Sequence, residues 1–200
     1  MVRKTSPLTE VHKAERVEFD NWLISKPQKF ANNAIRSNEK WFVIRQHPNK
    51  QTECDWAPFD AEIEVDCKEQ GGQKVICWEA VIRGQFILHW FNQKVSVNAR
   101  IYLNMFENVL WPQIQEMRNI WIQQDGAPPH MPARTWLQDK FQGMVISRLT
   151  PNPWPARSPD LSCLDYWFCG VAMEEIRRIK PTTLKEQWRA LLTALRKRRC

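Results

Sequence analysis

Asn119-Ile120-Trp121-Ile122-Gln123-Gln124-Asp125-Gly126-Ala127-Pro128-Pro129-His130 is an apolar run that stops on an acid. The run from Asn119 to Gln124 predicts a strand, and Gly126 with two prolines behind it ends that strand. Asp125 therefore stands at a strand's end. An Asp before Gly is ordinarily a turn residue, but a carboxylate in this place can also be one of several that converge on a cation.

Downstream of this block, Ala133, Leu137 and Phe141 fall on one face of a predicted helix, and Val145 to Leu149 reads as a short strand. A loop with four prolines follows, from Pro151 to Pro159. Ser158-Pro159 has the form of a helix start, with Leu164, Phe168 and Val171 recurring at helical spacing behind it, so a helix carries Asp165. Thr183-Leu184-Lys185-Glu186 is a capping box that opens a last helix with Leu184, Trp188, Leu191 and Leu195 on its buried face. Upstream, Leu8 to Leu23 reads as a helix and Ala34 to Arg45 carries a strand. Lys74–Val81 and Gln85–Phe91 form a predicted hairpin that turns at Arg83-Gly84. Asn98 caps a helix with the stripe Tyr102, Phe106 and Val109, followed by Pro112. Strand-like and helix-like segments alternate without an internal repeat, which favours an α/β domain.

At 200 residues the chain suits one domain, and 29 Lys+Arg against 22 Asp+Glu leave it at +7. With 43% hydrophobic residues, a mean hydropathy of -0.55 and no long apolar run, a transmembrane span, a disordered tail and a collagen-like repeat are excluded, and no membrane partner is expected. No apolar segment follows the basic start Met1 to Ser6, so an intracellular site is expected. The six cysteines show neither CxxC pairs nor zinc-finger spacing and read as reduced thiols. The eleven tryptophans sit mostly in apolar surroundings, which indicates core packing before base stacking. Arg196-Lys197-Arg198-Arg199 suits a polyanion partner and equally a solvated helix end.

Asp125 on one strand, Asp165 on a helix and Ser37-Asn38-Glu39 on an earlier strand place acidic or amide groups on three separate elements. Phosphoryl transfer by two divalent ions needs this kind of convergence, because each ion must be held while leaving room for the scissile phosphate.

Ile122 to His130, together with Pro153-Trp154-Pro155-Ala156-Arg157-Ser158-Pro159-Asp160-Leu161-Ser162-Cys163-Leu164-Asp165-Tyr166-Trp167, resembles the two signature blocks of mariner-type transposases. Ser37 to Phe42, Val75 to Trp78 and Lys180 to Leu184 extend the resemblance over most of the chain, from Leu8 to Trp188. The resemblance implies a ribonuclease-H-like fold, a mixed central sheet flanked by helices, that cuts and joins DNA ends with Mg²⁺ or Mn²⁺. It places that domain at residues 31–200, behind a helical linker remnant at 1–30, and the stretch before Asn38 is too short for the family's N-terminal helix-turn-helix pair. The family's acid triad falls on Asn38, Asp125 and Asp165, with 39 residues, 126 to 164, between the last two.

Where the family reads Ser-Asp-Glu-Lys, this chain reads Ser-Asn-Glu-Lys. Asn is isosteric with Asp but neutral, so the ancestral metal site loses a charge and the resemblance implies an inactive or severely impaired enzyme. Glu39 is no substitute, because neighbouring side chains on a strand point to opposite faces. Glu79 follows Trp78 where the family has a small residue, and puts a carboxylate into a packed strand unless a cation or water meets it. His130 suits either the DNA or metal side or a structural hydrogen bond, and Asp160 suits a helix-dipole partner. Arg157 and Arg134 are either phosphate contacts or ordinary surface cations. DNA, a second copy of the chain or an intact transposase are the implied partners, and the nucleus the implied location. The alternative is a non-catalytic DNA-binding or dimerisation module that retains the fold.

Overall fold

The computed structural model describes residues 8–43, 74–91, 97–125, 133–148 and 150–196. Two compact units divide the chain, one from Met1–Lys40 and Ile76–Gly170, the other from Trp41–Val75 and Val171–Cys200. Among the described residues, no helix is long and apolar enough to cross a membrane.

Helix α1, Glu10–Ile24, opens on Thr9, whose hydroxyl accepts from the His12 N–H while the His12 ring accepts from the Thr9 N–H. A 3-10 turn at Gln28–Asn33 leads into β1, Ala34–Val43. Strands β2, Lys74–Ile82, and β3, Gln85–Trp90, are the expected antiparallel hairpin. Arg83 and Gly84 both have positive φ, 49° and 74°, the two left-handed residues of a tight turn whose twist matches the strands it joins.

Asn98 caps helix α2, Ala99–Met105, by accepting from the Ile101 N–H. Sequence places the helix end before Pro112, but the chain passes through a π turn at Phe106–Leu110 into α3, Trp111–Ile114. The wider turn precedes the proline, so the ring enters as a first-turn residue and not as an interior break. Strand β4, Trp121–Gln123, helix α4, Ala133–Lys140, and strand β5, Val145–Ile146, follow, both strands shorter than their apolar runs.

The five strands form one mixed sheet in the order β3-β2-β1-β4-β5, with β1-β4 and β4-β5 parallel. On one face Ile35, Trp78, Ala80 and Ile122 pack with Tyr102, Phe106, Leu110 and Leu137 from the helices. A second cluster joins Phe19 of α1 and Phe30 to Ala34 and Ile146, with Trp22, Trp121 and Trp154 edge-on around it. This bears out the α/β fold with a mixed sheet flanked by helices, and it gives Trp22, Trp78, Trp121, Trp136 and Trp154 to packing.

The second unit holds α6, Leu184–Arg196, and its capping box is formed: the Thr183 hydroxyl accepts from the Glu186 N–H, and the Glu186 carboxylate accepts from the Thr183 N–H. The helix expected to start at Ser158-Pro159 is interrupted. Pro159–Leu161 is one 3-10 turn without a side-chain cap, Ser162 is extended, and a π turn at Leu164–Phe168 then runs into α5, Cys169–Ile179. Ser162 takes the capping role, its hydroxyl accepting from the Asp165 N–H, while the Ser158 hydroxyl accepts from Arg16 and donates to the Ala156 carbonyl.

Candidate functional site

The parallel register of β1 and β4 pairs Ala34 with Trp121, Ile35 with Ile122 and Arg36 with Gln123. Carried two residues further, it sets Asn38, midway along β1, opposite Asp125, just past the end of β4. Polar side chains hold this edge in place. The Ser37 hydroxyl donates to the Gln123 carbonyl at 2.8 Å, the Gln124 N–H bonds the Ile146 carbonyl, and the Ser147 hydroxyl donates to the Asp125 carbonyl at 3.3 Å.

Asp165 reaches the same edge from the π turn, and the Asn38 amide nitrogen donates to its Oδ1 at 3.2 Å. Burial is the main cause that raises the Asp165 carboxyl above the usual range, and the nearby negative charge of Asp125 adds to it. Asn38, Asp125 and Asp165 thus come together although 127 residues separate the first from the last. They line a cavity of about 330 Å³ that Arg148 and Arg157 also line. Arg157 holds a left-handed backbone, φ 56°. Arg134 is half-buried on α4 and does not line the cavity. His130 lies outside the described residues, as do the side chains of Arg196 to Arg199.

Asn38 and Glu39 face opposite ways, as strand alternation requires. The Tyr102 hydroxyl, fully buried on α2, donates to Glu39 Oε1 at 2.7 Å. Glu79 meets an amide and a thiol. Its side chain is completely buried, and Oε1 accepts from the Asn38 amide at 3.1 Å and from the Cys169 thiol at 3.3 Å. Oε2 is buried without a hydrogen-bond partner. Burial drives the Glu79 carboxyl up to about 8, with the Cys169 and Asn38 hydrogen bonds opposing the rise. Burial and the neighbouring Glu79 likewise push the Cys169 thiol upward, which keeps it a donor. Cys77, Cys163 and Cys169 are free thiols.

Asp160 is fastened by α1: Arg16 donates to both of its carboxylate oxygens, at 2.9 and 2.5 Å. That ion pair, the Ser162 cap and the Glu79–Asn38–Cys169 contacts escape sequence reading. The sequence signals among them are the amide at position 38 and the acid at position 79.

These donors do not fit a two-ion site. Two carboxylates face the cavity, the third group presents its amide nitrogen to Asp165, and among the described residues no three His, Cys, Asp or Glu side chains are grouped so as to hold a metal ion.

No family model and no curated protein matches the chain. Solved structures do match it in fold. The strand transfer complex of Mos1 transposase superposes with a TM-score of 0.72 at 18% identity over 98% of this chain and 64% of that one. The Mos1 catalytic domain with raltegravir and manganese gives 0.65 at 16% identity over 96% and 94%. This chain thus spans about two thirds of the longer Mos1 chains and nearly all of the catalytic domain, and its fold is that of the mariner transposase catalytic domain.

Proposed function

We propose that this chain is a transposase-derived domain of the mariner type, whose ancestral reaction is metal-dependent DNA strand cleavage and strand transfer, and that Asn38 has silenced it. The observation that carries this reading is the convergence of Asn38, midway along β1, Asp125, just past the end of β4, and Asp165 on one cavity. Mg²⁺ or Mn²⁺ is the ion of the ancestral site, DNA the partner, and the nucleus the place of work. The division into a linker remnant at 1–30 and a ribonuclease-H-like domain at 31–200 belongs to the same proposal, and so does pairing with a second copy or with an intact transposase.

A nicking and strand-transfer assay with Mn²⁺ on duplex DNA tests it. The expected result is no cleavage above that of Asp125→Ala. Metal-dependent cleavage that Asp125→Ala abolishes would restore an active enzyme. The second reading, a non-catalytic DNA-binding module, draws on the net charge of +7 and on Arg148 and Arg157 beside the cavity. It expects duplex binding that survives Asp125→Ala.

A further inference from the structure

Positions 38 and 79 lie on neighbouring strands, 41 residues apart in sequence, and their side chains touch. Both break the pattern of the mariner resemblance: an amide stands where an acid is expected, and an acid where a small residue is expected. Their contact gives the two departures one physical explanation.

The Asn38 amide nitrogen has three acceptors around it: Glu79 Oε1 at 3.1 Å, Asp165 Oδ1 at 3.2 Å and Cys169 Sγ at 3.5 Å. That environment favours this orientation, since a flipped amide would set its oxygen against Asp165 Oδ1 and give up the donor that bridges Asp165 and Glu79. An N–H pair bridging two acids does part of what a cation would do there: it supplies positive hydrogen to oxygens that otherwise repel each other. It also occupies Asp165 Oδ1, an oxygen that a metal would need.

We propose that Glu79 is the positioning residue that holds the Asn38 amide across Asp165, so that the loss of the ancestral acid is a two-residue exchange. A carboxylate at position 38 then requires an amide at position 79. This rests on the reading of the cavity as a former metal site. The single change Asn38→Asp would leave no N–H for Glu79. The introduced carboxylate would have only another carboxyl group to meet, and the proton that the two acids share would compete with a cation for its oxygens. When Glu79→Gln is added, donor and acceptor simply trade strands: the Gln amide donates to one oxygen of the carboxylate at position 38, and the other oxygen stands beside Asp165.

The test is a double-mutant cycle on the full chain with Asn38→Asp, Glu79→Gln and the pair together, read by calorimetric Mn²⁺ titration and by thermal unfolding without metal. The expected result is weak Mn²⁺ binding in the unmodified chain, Glu79→Gln and Asn38→Asp, and binding at least about tenfold tighter in the double variant, lost again when Asp125→Ala is added. Without metal, Asn38→Asp is expected to lower the unfolding midpoint by about 3–5 °C and the double variant to recover most of that. Equal Mn²⁺ affinity and equal midpoints in Asn38→Asp and the double variant would overturn the exchange while leaving the former metal site standing. Tight, Asp125-dependent Mn²⁺ binding by the unmodified chain, or no binding by any variant, would overturn the reading of the site and the exchange with it.

Discussion

Asn38 and Glu39 are chain neighbours with separate duties, because a strand sends successive side chains to opposite faces. Asn38 turns to Glu79 and Asp165, while Glu39 is held by the buried Tyr102 hydroxyl. Glu39 is thereby committed to the α2 side of the sheet and cannot make good the missing acid. Replacing Tyr102 by Phe removes one donor from a carboxylate and leaves the ring packing against Phe106 and Phe91 in place. Urea unfolding of Tyr102→Phe is expected to show a loss of about 1–2 kcal/mol. An unchanged stability would mean that the Tyr102–Glu39 bond holds nothing.

At the scale of elements, α1 is tied to the turn that precedes Asp165. Phe19 packs on Trp154, and Arg16 grips Ser158 and Asp160. The Arg16 guanidinium holds the Asp160 carboxyl below its ordinary 3.8 and is itself raised by the same bond. A lowered folded value means that the pair's contribution is complete above 3.8 and fades as pH falls through the folded value. Asp160 is exposed while Arg16 is half-buried, so solvent screens the pair and the contribution is about 0.5–1 kcal/mol. Asp160→Asn is expected to be less stable than the unmodified chain by that amount at pH 7 and to match it once the pH is below the lowered folded value of Asp160. Urea midpoints measured along that pH range check it; a gap that persists in acid would assign the loss to packing. The hairpin, the Asn98 cap and the Thr183–Glu186 box were legible in the sequence, because each is satisfied by residues within a few positions. The run through Pro112 and the broken start at Ser158 were not, since a π turn and a side chain from α1 decide them.

For the molecule as a whole, the charge of +7 and the arginines beside the acidic edge predict duplex DNA binding that weakens steeply with salt. Arg157→Ala and Arg148→Ala are each expected to weaken binding alike on unrelated duplexes and to lower the slope of log K against log salt by about 1. Fluorescence anisotropy between roughly 50 and 200 mM salt measures both. A slope near zero, or no change in either variant, would remove these arginines from a DNA surface.

Sequence alone determined most of the elements of this protein and the acids they carry, because strand alternation, helix caps and a two-residue turn are short-range rules written in adjacent residues. It also exposed the Asn at position 38 and the misplaced acid at position 79 as two separate oddities. Their contact was decided by tertiary structure: β2 beside β1 brings Glu79 to Asn38, the π turn ahead of α5 brings Asp165 to Asn38, and the first residue of α5, Cys169, reaches both. Side chains separated by 41, 127 and 131 residues share hydrogen bonds only after the sheet has paired and the helix has packed, and no local pattern encodes that distance.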